Sequence, residues 1–107
     1  RLEYRLFDGN AWPTTATVVD DAASVRATSI AIDPWDRPHI AYRDEGQGGA
    51  LKYAYYDGAR WQISTVDAFD DTGHHPRIAV DRWGRKHLVY STITATSAVR
   101  MDYRALP

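Results

Sequence analysis

The chain of 107 residues contains no cysteine, only one methionine and two lysines, and no long apolar run. Without cysteine there can be no disulfide, no thiolate metal site and no cysteine nucleophile. The redox compartment stays open, because a cysteine-free chain suits either environment. Lys52 and Lys86 stand against eleven arginines, which reads as compositional bias rather than selection for bidentate carboxylate recognition. A net charge of −1, without a basic block or acidic tail, gives no support for nucleic acid or an anionic membrane surface as partner. No stretch approaches the roughly 20 apolar residues that span a bilayer, so no membrane insertion is expected. Arg1, Glu3 and Arg5 break up the first apolar positions, unlike a signal peptide. A sustained 3.6-residue period is also missing, so no helix is predicted. The glycines of GQGG (46–49) lack the Lys-Ser/Thr and the following helix of a phosphate loop, and no Ser/His/Asp signature is present.

What the chain does contain is repetition. Residues 1–12 lie over 50–61 at an offset of 49, matching Leu2/Leu51, Tyr4/Tyr53, Asp8/Asp57, Gly9/Gly58 and Trp12/Trp61. SIAIDPWDRPHIAY (29–42) lies over RIAVDRWGRKHLVY (77–90) at an offset of 48, with seven of 14 positions identical. Met101 and Tyr103 take the places of Leu51 and Tyr53 in the start of a third copy. A period near 48–50 belongs to solenoids, propellers or arrays.

Each unit reads as strand. SIAID and HIAYRD are short runs joined by a Pro34–Pro38 turn, with Pro38 at a strand edge where its missing N–H costs little. Gly84 replaces Asp36 in the second turn, and both residue types accept left-handed backbone. LKYAYYD sets Leu51, Tyr53 and Tyr55 on one face and Lys52, Ala54 and Tyr56 on the other. Asp57-Gly58 and Asp8-Gly9 predict two-residue type I′ hairpins.

Four antiparallel strands in 40–50 residues is a blade-like unit. The segments SIAIDPWDRPHIAYRD, LKYAYYDGARWQISTVD and RIAVDRWGRKHLVY resemble bacterial β-propeller repeats of the pattern SIAxDxxGxPHIAYxD…LKYAxxDGxxW. The turn is also distantly similar to the Asp-box turn of sialidase-type propellers. The resemblance implies an all-β, partial β-propeller of antiparallel four-stranded blades, about nine strands in a single segment. Residues 1–20 would be the outer hairpin of a first blade, 29–67 one complete blade, and 77–105 three strands of a further blade. Such a segment leaves apolar sheet faces open, so further blades are the expected partners, from a longer chain or from identical subunits. Ser91 departs from the pattern where Asp44 fits it, and STITATSA (91–98) lacks the charged, Gly-rich character of RDEGQGGA (43–50).

Candidate site residues fall in two groups. By the resemblance, 43–49 and 67–76 share the channel face, so Arg43, Asp44, Asp70, Asp71, His74 and His75 are candidate ligand contacts. Imidazole and carboxylate together suit a divalent cation, but two adjacent histidines point apart and no third ligand is suitably spaced, so no metal and no cofactor is expected. Trp35 and Trp83 occupy the repeated turn, where an indole either stacks on a sugar ring or covers the blade edge. His39 and His87 recur, which predicts a structural bond to a neighbouring turn, and Asp33 and Asp81 are expected to accept turn N–H groups. Trp12 and Trp61 are expected to pack between outer strands. Three functions stand: a non-enzymatic binding module for glycan or protein, a piece of a sialidase-like enzyme acting through Arg43, Asp44 or Asp70, and a structural subunit. A secreted setting is favoured, with the compartment otherwise open.

Overall fold

Antiparallel sheets of two, four and three strands follow one another along the chain. The computed structural model describes the backbone of residues 1–107 and every side chain except that of Gln47. The first sheet pairs β1 (Leu2–Tyr4) with β2 (Thr17–Asp20). The second runs in order through β3 (Val25–Ile32), β4 (Pro38–Asp44), β5 (Ala50–Tyr56) and β6 (Trp61–Asp67). The third joins β7 (Asp71–Val80), β8 (Lys86–Ile93) and β9 (Val99–Leu106). Among the described residues the protein is thus all-β with nine strands, apart from one 3-10 turn at Glu45–Gln47.

Period-two alternation places the cores. Ile40, Tyr42 and Ala54 of the second sheet meet Leu2 and Val19 of the first. Ala41, Leu51 and Tyr53 project from the other face of the same sheet against Ile78, Leu88 and Tyr90 of the third. β4 is therefore buried along its whole length. One polar link recurs between successive sheets: Tyr42 donates its hydroxyl to Asp20 Oδ2 at 2.7 Å, and Tyr90 donates to Asp67 Oδ2 at 2.8 Å. Equivalent residues thus join the first sheet to the second and the second to the third. The row is elongated, 49 × 30 × 22 Å, with a radius of gyration of 14.3 Å, against about 13 Å for a compact domain of this length.

Several elements differ from the sequence reading. β3 begins at Val25 rather than 29, because Ala27 takes a left-handed φ of 53° and the register shifts between Arg26 and Thr28. β7 begins at Asp71 rather than 77, so most of the segment read as a loop at 67–76 is strand. Register shifts on both sides of His74, with φ of 81° at Gly73 and 48° at His75, hide its alternation. At Gly73 a Cβ would lie 3.1 Å from the Leu51 backbone, so glycine allows β7 to press against β5. The 57–60 turn is not type I′, since only Gly58 has a positive φ. Asp57 shapes it instead, its Oδ1 accepting the Ala59 and Arg60 N–H groups at 2.8 and 2.9 Å. Trp61 packs edge-on to Tyr4 and Tyr56, but Trp12 is 58 % exposed. The first hairpin carries two more residues than the second between Trp and the closing Asp, including Pro13, and its strands shorten accordingly.

Candidate functional site

The turns after β3 and β7 are built alike. Asp33 Oδ1 accepts the N–H groups of Trp35 and Arg37 at 2.8 and 3.0 Å, and Asp81 Oδ1 accepts those of Trp83 and Arg85 at 2.9 and 3.0 Å. Each carboxylate then holds a histidine from the next strand. His39 Nε2 lies 2.8 Å from Asp33 Oδ2, while its Nδ1 lies 2.6 Å from the Tyr53 hydroxyl. With Nε2–H donating to the carboxylate, Nδ1 is left to accept the phenol proton. His87 repeats this with Asp81 at 3.0 Å and Tyr103 at 2.7 Å. Burial pushes the Asp33 carboxyl up, but the His39 imidazole and the two turn N–H groups outweigh it and hold it below its ordinary range. Burial, with Tyr55 and Asp33 nearby, pushes the Tyr53 hydroxyl up.

This network forms the floor of a groove of ≈ 560 Å³ between the second and third sheets, a size within the roughly 300–1,000 Å³ of small-molecule sites. The stacked rings of His39, Tyr53 and Tyr55, with centroids 5.6–5.9 Å apart, contribute an aromatic face. Trp35, 64 % exposed, supplies an indole, while Arg37, Asp57 and Lys86 bring charge of both signs. The third sheet closes the far side with Gly84 and Leu106. A Cβ on Gly84, which has a φ of 83°, would come 2.6 Å from the Trp35 ring. This close approach gives the physical reason for glycine here where the first turn has Asp36. The groove therefore offers apolar ring faces beside donors and acceptors, a combination suited to a small neutral polyhydroxylated ligand.

The other candidate residues lie at the opposite ends of β4 and β7, so the structure divides the two groups. Arg43 is buried, donates to Asp71 Oδ1 at 2.7 Å and to Glu45 at 3.1 Å, and also bonds the Thr72 carbonyl. It fastens β4 to β7. Asp44, also buried, accepts from Ser24 N at 3.0 Å and Gly46 N at 2.9 Å and pairs with Lys52 at 2.8 Å. Burial raises the Asp44 carboxyl, but Lys52 and the two N–H groups bring it below the usual range. His74 lies 2.8 Å from Asp71, and with Arg43 it holds the Asp71 carboxyl low. Asp70 and His75 take left-handed backbone and do not join this cluster. Arg43 and Asp71 bring 43–49 and 67–76 into contact, and Asp71 Oδ1 serves both Arg43 and His74. Trp83 lies under the guanidinium groups of Arg82 and Arg85, at 4.5 and 5.0 Å from its ring centre, on the open side of the third sheet. Arg37, Tyr55, Asp57 and Lys86 were not singled out by sequence. Asp33 and His39 repeating beside a turn tryptophan was the one signal pointing to this end of the sheet.

No protein-family model and no curated protein matches the chain. Among solved structures, the chain is similar to a fucose lectin from Kordia zhangzhouensis in complex with methyl-fucoside. The TM-score is 0.61 at 14 % identity, over 97 % of this chain and 79 % of that one. At that identity the likeness is one of fold.

Proposed function

We propose that this chain is a non-enzymatic carbohydrate-binding β-module, built as part of a β-propeller that further repeat units complete. The observation that carries the binding role is the groove between the second and third sheets, with Trp35, Tyr55, Arg37, Asp57 and Lys86 around it. Pyranose rings present C–H faces to aromatic rings and hydroxyls to charged and amide groups, and this groove supplies both. The fold likeness to a protein that binds methyl-fucoside adds support, and methyl fucoside is the first probe to try. The propeller reading draws support from the repeated inter-sheet contact: the same tyrosine–aspartate link and equivalent apolar residues join each sheet to the next. An enzyme acting through Arg43 or Asp44 finds less support, because both are buried and engaged.

A glycan array tests the reading, with Trp35→Ala and Trp83→Ala beside the parent. Binding in the parent that Trp35→Ala abolishes is the expected result. No binding in the parent, or binding unchanged in Trp35→Ala, removes it.

A further inference from the structure

The charged groups of the groove between the second and third sheets are not equally available. Asp33 holds its own turn and His39. Asp57 Oδ1 accepts two N–H groups of its turn, and Gln62 Nε2 donates to Oδ2 at 2.9 Å. Lys86 donates to the Pro107 carbonyl. Among the described residues, the Arg37 guanidinium alone of these groups makes no hydrogen bond and no ion pair.

The turn between β5 and β6 sets its place. A Cβ on Gly58 would lie 2.9 Å from Arg37 Nη2 and 3.1 Å from its Cζ, so the guanidinium occupies the space that a side chain at 58 would fill. The equivalent Arg85 shows the other pose this turn allows. Its Nε donates to Asp81 Oδ2 at 3.0 Å, and its guanidinium lies 5.0 Å from the Trp83 ring centre. Arg37 makes neither equivalent contact among the described residues, and no guanidinium lies over the Trp35 ring.

Resting on the proposed carbohydrate reading, we infer that Gly58 is a positioning residue that keeps Arg37 clear of the Trp35 ring, and that Arg37 selects the sugar through two neighbouring hydroxyls. A guanidinium presents N–H donors in a fixed planar fork and has no acceptor. Two adjacent hydroxyl oxygens of a pyranose can accept from both prongs while its C–H face meets the indole. Because these donors have no partner in the protein, the ligand displaces no internal hydrogen bond to reach them. The class selected is a glycoside with an unblocked vicinal diol. Removing either hydroxyl of that pair leaves one prong without its acceptor.

The first hairpin supplies the control. Gly9 shares with Gly58 a φ of 100° and a turn shaped by the preceding aspartate, yet a Cβ on Gly9 meets nothing within 4 Å. Gly9→Ala and Gly58→Ala therefore both carry left-handed strain, but only the second displaces Arg37. Calorimetric titrations use the methyl glycosides of fucose, galactose, mannose and glucose. Arg37→Ala and Gly58→Ala should each weaken the best binder roughly 10- to 100-fold. Gly9→Ala should leave it unchanged, and Gly58→Ala should add nothing in the Arg37→Ala background. The parent should bind two monodeoxy forms of that glycoside, lacking neighbouring hydroxyls, more weakly than the others. Arg37→Ala and Arg37→Lys should lose this preference, since neither presents the fork. Parent-like affinity in Arg37→Ala, or a preference retained in either Arg37 variant, overturns the role of Arg37. Parent-like affinity in Gly58→Ala, an equal loss in Gly9→Ala, or a further loss in the Arg37→Ala background overturns that of Gly58. These outcomes leave the Trp35 groove standing if Trp35→Ala still abolishes binding, whereas a parent that binds none of the four overturns both.

Discussion

Tyr42 and Tyr90 carry the same bond in unequal surroundings, and the difference is measurable. Tyr42 and Asp20 are both buried, and among the described residues Asp20 has only Lys52, 3.8 Å away, as a further side-chain partner. Tyr42→Phe therefore leaves a buried carboxylate short of a donor and should cost about 1–3 kcal/mol of unfolding free energy. Tyr90→Phe should cost less, because half-exposed Arg104 stands 3.7 Å from Asp67 and can move closer. Chemical denaturation of both variants checks the order. Acid sensitivity follows from the carboxylates. His87 and Arg85, with turn N–H groups, hold Asp81 well below its ordinary value, and Asp33, Asp44, Asp71 and Asp102 are also lowered. In the unfolded chain these groups titrate near 4 and bind more protons than in the folded chain. Their contribution is therefore complete above about pH 5 and is lost as pH falls below about 4. Burial raises the hydroxyls of Tyr42, Tyr53 and Tyr90, so their contribution is complete below about pH 10 and is lost above it. Denaturation midpoints across pH should show a plateau between these limits; a steady rise from pH 5 to 8 would contradict this assignment.

At the scale of strands and turns, the contact between Trp35 and Gly84 ties fold to site. Gly84→Ala puts a side chain where φ is 83° and where the Trp35 ring lies 2.6 Å away. Left-handed backbone alone should cost about 1–2 kcal/mol, and the displaced indole should also weaken sugar binding. In Trp35→Ala the steric part should vanish and the backbone part remain, which a double-mutant cycle resolves. Leu51→Ala, fully buried between the second and third sheets, should cost about 2–5 kcal/mol in thermal or urea unfolding. What could be read from sequence divides along the same lines. Period-two alternation in LKYAYY and the Asp-Pro-Trp turn announced β5 and β4. The first part of β7, before 77, escaped, since left-handed residues at Gly73 and His75 interrupt its alternation. The groove escaped in part because it joins β5, β8 and two turns, a juxtaposition fixed by how one sheet stacks on the next. Arg43 and Asp44 look functional in sequence because charge is conspicuous there, yet Arg43 fastens β4 to β7 and Asp44 holds the Ser24 and Gly46 N–H groups and Lys52.

Across the whole molecule, the open row of sheets and the groove between two of them belong to one account. Stacking the third sheet on the second buries Leu51 and Leu88, and the same stacking sets Lys86 and Leu106 opposite Trp35 and Tyr55. Anything that separates the two sheets should thus abolish binding along with stability. The most direct measurement is a titration of the four indole N–H signals with methyl fucoside and a panel of other methyl glycosides. The account predicts that one glycoside at least shifts the Trp35 signal saturably, while Trp12 and Trp61, outside the groove, hold still. If the Trp35 signal stays fixed across the panel, or only Trp12 or Trp61 moves, the groove is not a carbohydrate site.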